Sequence, residues 1–498
     1  MTDVPASHSS AATASPGWPR WSLAQAEEYL RSLELFGMRF GLDRMRRLMT
    51  ALGLPQRRFD SIHVVGSNGK SSTSRMIAAL LHHQGLRSGA YLSPHLVSYT
   101  ERVRVDERDI EEGAFASAVG RAAWAAGLVD RTLGPDDGVT QFEVLTAAAF
   151  AELARRQVDV TVVEAGLGGR YDATNVLAST VQVLTNVSLE HTRWLGPSIT
   201  DIAREKLAVV PPGGLLVLGH GLDPEAEAVA DEVRATQRAT VVRAPVEAAE
   251  SPPPAAGSFQ RGNFALACAA ADAYLRARDP ESGGLSARAM RAAATTPVPG
   301  RFQVVDHDPP TVLDAAHNPD GVRALLDALD QTDPGSLAPI EPGPEGAPAP
   351  ESGAAPSFIA VLSILEDKDA AAMLALLLPR CLEVVFTTSG NQRALSPATL
   401  ASLARQLDGP PAHIEPDPAR ALRLARERAR ALAPQGARAR EGALPRDRPL
   451  AHPSPGEPAG HHRPGRPHAV VVTGSIFLIG ELVRAGMARD SEGGRSRG

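Results

Sequence analysis

A short glycine-rich loop, GSNGK at residues 66–70, has the residue types that phosphate binding requires. It follows the strand-like run DSIHVVG and leads into the helix-like run KSSTSRMIAALLHHQ. Gly66 and Gly69 allow the backbone to turn its N–H groups toward phosphate oxygens, and the start of the helix adds positive potential. Lys70 then meets the outer phosphates, and a hydroxyl of the following serines can hold Mg²⁺. The loop indicates a nucleotide site, although a glycine turn with a serine helix cap fits the same letters.

Strand-like and helix-like segments alternate along most of the chain. The β-branched runs at 158–166 and 180–188 have the same character as the run before the loop. After a proline-rich break at 251–257, the alternation resumes near residue 301. Near-continuous apolar strands that alternate with helices predict parallel sheets with helices on both faces. We therefore predict an α/β protein whose two domains meet near Gly300.

Composition excludes several classes of function. The 498 residues exceed the size at which a single core stops growing, and a net charge of −6 without a basic face argues against a nucleic-acid-binding protein. The two cysteines stand far apart, so neither a disulfide framework nor a thiolate metal site is indicated. Apolar runs fall short of the roughly 20 residues of a membrane helix, and the N-terminus has no secretory pattern. We expect a cytoplasmic monomer with no nucleic-acid or membrane partner.

Four segments show biased composition without periodicity. We predict disordered tails at 1–20 and 489–498 and disordered insertions at about 333–356 and 434–467. Such segments bury too little apolar surface to offset the entropy of the chain. The histidines of the last insertion could ligate a metal, but a solvated loop fits them better.

Seven longer motifs accompany the loop. They are SPHLVSYTERVRVD (93–106), QFEVLTAAAF (141–150), VVEAGLGGRYDATNV (162–176), SLEHTRWLG (188–196), IAREKLAV (202–209), LDAAHNPDG (313–321) and TGSIFLIGE (473–481). In this order, they resemble folylpolyglutamate synthases and dihydrofolate synthases, the folate branch of the Mur ligase superfamily of ATP-dependent amide-bond-forming enzymes. The family's loop has the form GTNGKGS, so Val64 in place of an earlier glycine is normal. The resemblance runs from about residue 21 to 486.

The resemblance implies a P-loop-containing parallel-sheet ATPase domain at 21–297 and a smaller, Rossmann-like glutamate-ligase domain at 298–488. The implied ATP contacts are Gly66, Ser67, Asn68, Gly69, Lys70, Ser71, Ser72, Asn263, Arg301 and Asp314. The implied metal ligands are Ser72, Glu143, His191 and a carbamylated Lys206. The implied catalytic residues are Lys70, His191, Lys206, Asp314 and His317. The implied substrate contacts are Pro94, His95, Leu96, Asp172, Asn175, Lys368, Arg393 and Ser475.

The implied chemistry is the activation of a carboxylate for amide formation. ATP can activate it by transferring the γ-phosphoryl group, which gives an acyl phosphate. The carboxylate and the phosphate are both anionic, so the site needs the positive charge of Lys70 and of one or two Mg²⁺ ions. The resemblance thus implies ATP and Mg²⁺ as cofactors, with L-glutamate and a folate or dihydropteroate as substrates.

Plainer interpretations exist for several of these residues. Glu143 also fits a carboxylate at a helix start, His191 a satisfied loop histidine, and Lys206 an exposed lysine at a helix end. The stretch DAAHNP at 314–319 also fits a strand end followed by a helix cap.

Three positions differ from the family pattern. Ser71 stands where the family has glycine, Glu190 stands where it has aspartate, and Leu207-Ala208 replaces Ala-Gly. A side chain at Ser71 is costly if its backbone requires a positive φ.

The motifs leave the acceptor open between dihydropteroate and a tetrahydrofolate. Two other functions are alternatives. A peptidoglycan-precursor ligase of the Mur type usually carries a further N-terminal domain, for which little chain precedes the first strand. A nonenzymatic P-loop switch would need neither the later motifs nor a second α/β domain.

Overall fold

The computed structural model describes residues 17–33, 40–135, 137–245, 258–332, 357–432 and 468–487. Apart from residues 17–20, the predicted tails and insertions lie outside the described residues. Within the described ranges, the chain forms two separate sheets flanked by helices. This arrangement confirms the predicted α/β fold class.

The first sheet contains strands β1 to β8, counted over the described residues. They span Asp60–Val65, Ser88–Tyr91, Val103–Val105, Arg108–Asp109, Val160–Glu164, Val181–Leu184, Leu215–Leu218 and Thr240–Arg243. Their order across the sheet is β4-β3-β2-β5-β1-β6-β7-β8. The pairs β2–β3 and β3–β4 are antiparallel and all other neighbours are parallel. Strands β5 and β6 are buried throughout, because apolar and β-branched residues fill both faces.

The second sheet contains strands β9 to β14 of the described chain. They span Gln303–His307, Pro310–Leu313, Phe358–Leu362, Cys381–Phe386, Ala412–Ile414 and Ala469–Thr473. Their order is β13-β12-β11-β14-β10-β9, and only β9 runs antiparallel to its neighbour. The central strands β11 and β14 are buried along their full length.

Helices cover the faces of both sheets. In the described residues, α1 to α10 span Leu23–Ser32, Asp43–Ala51, Lys70–His83, Glu112–Asp130, Gln141–Arg155, Thr192–Leu195, Ile199–Leu207, Pro224–Gln237, Ser258–Arg278 and Ala287–Ala293. Helices α11 to α15 span Pro319–Asp330, Ala370–Leu377, Pro397–Gln406, Pro418–Ala431 and Ile476–Arg484. The apolar faces of α4 and α5 share one core with Tyr91, and those of α3 and α9 share another with Ile62 and Val162.

The topology brings the motif-bearing loops together. In the first sheet β1 lies between β5 and β6, so the loops after these three strands meet at one carboxyl edge. In the second sheet the loops after β10, β11 and β14 meet in the same way. The chain passes from one sheet to the other near Gly300, and the exact domain limits of 21–297 and 298–488 stay a prediction. No helix among the described residues has the length and apolarity to span a membrane.

Candidate active site

The phosphate loop has the backbone that its glycines predict. Gly66 has a φ of 149° and Gly69 a φ of 81°, values that favour glycine. A Cβ atom on Gly66 would lie 1.9 Å from Thr185 Oγ1, and one on Gly69 would lie 2.5 Å from Asn263 Oδ1. Both glycines are therefore required by close neighbours as well as by φ. Asn263, which was predicted to contact ATP, lies directly against the loop.

The segment after β6 holds the loop in place. The backbone N–H of Ser67 donates to the Asn186 carbonyl at 3.0 Å, and that of Asn68 donates to Asn186 Oδ1 at 2.8 Å. Thr185 Oγ1 donates to the Asn68 carbonyl at 2.6 Å. The loop is thus fixed by hydrogen bonds from a neighbouring strand end.

Lys70 begins helix α3 and turns back over the loop. Its ammonium donates to the carbonyls of Gly66 at 2.8 Å and Ser67 at 3.0 Å. The predicted cation is therefore at the loop, where its charge also acts on Glu164 and Glu190. Ser72 follows within the first turn of α3 and is buried.

A carboxylate that the sequence analysis missed faces the loop. Glu164 is the last residue of β5, and only 1% of its surface is exposed. Its Oε1 accepts from Ser71 Oγ at 2.9 Å and its Oε2 accepts from the Ser93 N–H at 3.0 Å. Burial raises the pKa of Glu164, which the Lys70 charge partly opposes. The available signal was a glutamate at the end of an otherwise apolar strand.

Glu143, by contrast, serves the start of helix α5. Its carboxylate accepts from the N–H of Thr140 at 2.8 Å, and Thr140 Oγ1 accepts from the Glu143 N–H at 3.3 Å. It also pairs with Arg44 Nε at 3.2 Å. These contacts form a capping box and a buried ion pair. Glu143 contacts Thr140 and Arg44 rather than the phosphate loop. These contacts fit the plainer interpretation of this residue, a carboxylate at a helix start.

Lys206 lies inside the site rather than at an exposed helix end. Its ammonium donates to the Gly66 carbonyl at 2.9 Å and pairs with Glu190 Oε1 at 2.9 Å. Side-chain exposure is 2% for Lys206 and 5% for Glu190, so the pair is almost dry. Burial lowers the pKa of Lys206, although Glu190 opposes this. Burial alone would raise the pKa of Glu190, but the charges of Lys206 and Lys70 together hold it well below its usual range.

Two histidines of the site are held neutral. Burial and the nearby Lys368 lower the pKa of His191 to about 4. The Lys368 ammonium lies 3.4 Å from His191 Nε2, which joins the second sheet to the first. Burial and Lys368 also lower the pKa of His317 to about 4, and its Nδ1 lies 2.9 Å from the Ala315 carbonyl.

A second contact between the sheets ends on the phosphate loop. The Asn318 amide donates to Asn68 Oδ1 at 3.0 Å. Asn318 also caps helix α11, because its Oδ1 accepts from the Gly321 N–H at 2.7 Å. Nothing in the sequence analysis singled out this residue beyond a cap. Since Asn318 follows β10 and Asn68 follows β1, the carboxyl edges of the two sheets face each other.

Asp314 and Arg301 lie at this junction. Asp314 is buried, and its carboxylate accepts from the N–H groups of Phe302 and Ala316, both at 2.8 Å. Burial raises the pKa of Asp314, and the Arg301 charge opposes the rise. The same Arg301 charge acts on Glu164 in the first sheet. Arg301 thus has one carboxylate from each sheet within its electrostatic reach.

The segment SPHL, residues 93–96, is packed between the two sheets. His95 Nδ1 accepts from Arg102 Nε at 2.9 Å, and its ring centroid lies 4.2 Å from that of Tyr99. Leu96 packs beside α15, where a Cβ on Gly480 would lie 2.1 Å from the Leu96 carbonyl. Pro94 stands between Ser93, which contacts Glu164, and His95. This segment therefore borders the cleft, as its predicted role requires.

The other predicted substrate residues mainly organise loops or lie at the rim. Asp172 is buried and accepts from the Leu167 and Thr174 N–H groups at 2.8 and 3.0 Å. Asn175 donates to the Arg170 carbonyl at 3.1 Å. Ser475 caps α15. Arg393 is exposed and lies 3.6 Å from Asp367, which also pairs with Lys368 at 3.5 Å.

The assembled cleft can bind and transfer phosphate. It combines a phosphate loop, the cations of Lys70, Lys206, Lys368 and Arg301, and the buried carboxylates Glu164 and Glu190. Carboxylate and hydroxyl oxygens are the ligands that Mg²⁺ prefers, so Glu164 and the loop serines fit that ion.

Known proteins share both the sequence and this architecture. The dihydrofolate synthase/folylpolyglutamate synthase of Mycobacterium tuberculosis is 34% identical over 405 residues, which cover 74% of this chain and 78% of the relative. The chain belongs to the dihydrofolate synthase/folylpolyglutamate synthase family. A scan against models of protein families finds no match. The relative that is 34% identical confirms the predicted family and the predicted ligase class.

Solved structures of this family agree over nearly the whole chain. The Mycobacterium tuberculosis folylpolyglutamate synthase complexed with ADP and AMPPCP superposes with a TM-score of 0.75 and 30% identity, covering 94% of this chain and 98% of that one. A bifunctional folylpolyglutamate synthase/dihydrofolate synthase with Mn, AMPPNP and L-glutamate bound gives a TM-score of 0.70 and 26% identity, with the same coverage. Nucleotide and a divalent metal therefore bind to members of this family. The match to folate ligases over 94% of this chain favours the folate branch over the cell-wall and switch alternatives.

Proposed function

We propose that this chain is an ATP- and Mg²⁺-dependent ligase that joins L-glutamate to a folate acceptor through an acyl phosphate. The observation that carries the proposal is the meeting of the two sheet edges, where Asn318 bonds to the phosphate loop and Lys368 reaches His191. A phosphate loop alone would serve any nucleotide-binding protein. A loop that faces cations from a second α/β domain is suited to bring two anionic substrates together.

The first sheet would hold ATP. Gly66 and Gly69 in the loop, and Lys70 and Ser71 at the helix start, would offer N–H groups, whereas the N–H groups of Ser67 and Asn68 bond to Asn186 and hold the loop in shape. Asn263, Arg301 and Asp314 border the loop or the cleft between the sheets, as an ATP contact requires.

The metal site is best assigned to Ser72, Glu164 and His191, with Glu164 in place of Glu143. Glu164 is buried and contacts the loop through Ser71, whereas Glu143 is committed to Thr140 and Arg44. His191 is held neutral, so one of its ring nitrogens has the lone pair that a metal ligand needs. A bound Mg²⁺ would neutralise charge on the transferring phosphoryl group.

Lys206 would carry the second part of this site as a carbamate. The lowered pKa increases the share of neutral amine, which attacks CO₂ to form an N–C bond and releases a proton. The product is an anion in place of a cation, directly beside Glu190. Two adjacent carboxylate groups suit a divalent ion, and the unmodified Lys206–Glu190 ion pair keeps the site neutral without one.

The second sheet would receive glutamate. Lys368 and Arg393 both lie near Asp367, and a guanidinium fork suits a carboxylate. His317 lies in the same charge field and would hold its position through the Ala315 carbonyl. The acceptor would lie along Pro94, His95 and Leu96, with Asp172 and Asn175 shaping the neighbouring loop and Ser475 the start of α15. We further propose that the enzyme acts as a cytoplasmic monomer without a nucleic-acid partner.

The proposal is tested by incorporation of labelled L-glutamate into dihydropteroate and, in a separate reaction, into tetrahydrofolate, each with ATP and Mg²⁺. Lys70→Ala serves as the inactive control. Product from either acceptor that is lost in the control supports the ligase and identifies the acceptor. A folded protein that binds ATP but gives no product with either acceptor would refute the proposal.

A further inference from the structure

A cluster of metal-ligating side chains lies at the end of helix α3 that is remote from the phosphate loop. His82 and His83 are the last two residues of α3, and Asp106 and Glu107 form the turn between β3 and β4. Helix α3 has 14 residues, so about 20 Å of helix separates this cluster from Lys70. The cluster is therefore outside the proposed active site.

The ligand atoms are already close together. One ring nitrogen from each histidine and a carboxylate oxygen of Glu107 all lie within 4.8 Å of one another. His83 Nε2 is 3.0 Å from Glu107 Oε2, and His82 Nδ1 is 3.4 Å from Asp106 Oδ1. In a tetrahedral zinc site with bonds of 2.0 to 2.1 Å, ligand atoms are separated by about 3.3 Å. Small side-chain rotations would bring these atoms to such distances.

The turn that carries the carboxylates is held in an unusual backbone conformation. Asp106 has a φ of 49° and Glu107 a φ of 63°, so two consecutive residues with side chains adopt the left-handed region. Positive φ at both central residues is what a two-residue type I′ hairpin turn between β3 and β4 requires, so the turn itself fixes the directions of both side chains. Asp106 Oδ1 accepts from the Ser88 N–H at 3.1 Å, and Glu107 Oε1 accepts from Thr296 Oγ1 at 3.3 Å. The carboxylates are thus positioned from two directions.

The local charges favour a cation. The carboxyl end of α3 contributes negative potential where both histidines stand. The Arg104 guanidinium donates to the Glu107 carbonyl and to Asp109, so its charge is paired. A surface cleft of about 270 Å³ opens beside His82 and Asp106, which gives an ion access from solvent. Arg87, Arg108 and Arg156 also line that cleft and oppose an incoming cation, although Arg156 is paired with Glu111 and Glu152.

We propose that His82, His83 and Glu107 bind a divalent transition-metal ion of the zinc class, with Asp106 as the fourth ligand. Two imidazoles and two carboxylates match zinc, whereas Mg²⁺ takes oxygen ligands and keeps several waters. The bound ion clamps the β3–β4 turn to the helix that begins at the phosphate loop. This site is separate from the Mg²⁺ site of the proposed function and does not depend on it.

The test is zinc binding by the full chain after treatment with a chelator, measured by equilibrium dialysis with Mg²⁺ and ADP in excess. We expect one zinc equivalent that binds at least about tenfold more weakly in the double variant His82→Gln/His83→Gln, since removal of even an outer partner of a metal costs about 10- to 100-fold. His220→Gln is the matched control, because His220 is an exposed histidine outside the cluster. The zinc affinity of this variant should equal that of the unchanged protein. Equal zinc binding by the double variant and the unchanged protein would overturn the proposal.

Two further measurements distinguish other sources of binding. X-ray absorption of the zinc-loaded, unchanged protein should show two imidazole ligands at about 2.0 Å. A coordination shell of oxygen atoms alone would contradict the assignment. Replacement of His452, His461 and His462 should leave zinc binding intact. Zinc that disappears with those three residues would belong to that segment and would equally overturn the proposal.

Discussion

Replacing Lys206 by methionine should destabilise the protein far more than removing an exposed cation from the same helix. In the metal-free protein, where Lys206 is unmodified, the Lys206→Met change leaves the Glu190 carboxylate, only 5% exposed, without its partner at 2.9 Å. Removing one member of a buried ion pair costs about 3 to 5 kcal/mol. The Gly66 carbonyl keeps its hydrogen bond from Lys70, and Lys70 still attracts Glu190, so the lower end applies. We expect a loss of about 3 kcal/mol in the free energy of unfolding.

The assay is urea denaturation, with the midpoint and slope compared between variants. Arg204→Met is the matched control, because Arg204 lies in α7 as well and pairs with Glu232 at 3.0 Å while both side chains are about half exposed. It should cost at most about 1 kcal/mol. Equal losses for the two variants would refute the argument that the Lys206–Glu190 pair is buried and mutually dependent.

The pH dependence of this loss follows from the charge that remains. In the unchanged protein the folded pKa of Glu190 is lowered, so its stabilising contribution is present above the ordinary carboxyl pKa and is lost only as pH falls below it. In Lys206→Met, the charge of Lys70 still opposes burial but that of Lys206 is gone, so the pKa of Glu190 rises. Protonation on acidification then relieves the penalty, so the difference between the variant and the unchanged protein should shrink from about pH 7 to about pH 5. A difference that grows over this range would contradict the assignment.

Three further predictions concern the metal site, the buried histidines and the insertions. Glu164→Gln should abolish Mg²⁺-dependent turnover in a folded protein. Glu143→Gln should lower the unfolding temperature and leave Mn²⁺ affinity unchanged. The reverse pattern would restore Glu143 as the metal ligand. Burial lowers the pKa of His63 from about 6.5 to about 4. The contribution of neutral His63 to stability is therefore present above pH 6.5, and the free energy of unfolding falls by about 2 kcal/mol from pH 7 to pH 5. Denaturation of His63→Gln should lack that part of the pH dependence, and an unchanged slope would exclude it. Deleting residues 333–356 should leave kcat and KM unchanged, because the chain leaves and re-enters at the amino end of β11, away from the carboxyl edge; a folded but inactive deletion would refute this.

Local sequence signals predicted the parts of the structure that depend on neighbouring residues. The continuous apolar runs predicted β1, β5 and β6, because a strand buried on both faces needs no partner information to be recognised. The phosphate loop could also be predicted from local sequence, because its glycine, lysine and serine residues act within one turn.

The role of Glu143 shows where a motif match can mislead. Thr140 followed three residues later by Glu143 is a capping-box pattern, which was available in the sequence and describes the observed contacts. Its second partner, Arg44, is 99 residues away, and no local pattern reports such a pairing. Glu164 lies at the end of an apolar strand, and its proximity to Ser71 depends on the pairing of β1 with β5.

Contacts between the two sheets were also beyond prediction. Asn68 and Asn318 are 250 residues apart, and Lys368 and His191 are 177 apart. The short antiparallel strands β3 and β4 contain too few residues for an alternating pattern to be distinct from a loop. Long-range pairing, rather than local propensity, decides these features.

The facing carboxyl edges of the two sheets have an evolutionary consequence. Each sheet folds around its own cores and contributes loops from one edge, while the chain crosses between them once near Gly300. The loops that would face the acceptor follow β2 and β5, and the loops that would meet the amino acid follow β11 and β14. Selection can therefore alter the preference for one substrate in one module while the nucleotide loop and the other module keep their sequence. Such an architecture lets a family diversify its acceptors without rebuilding its source of chemical energy.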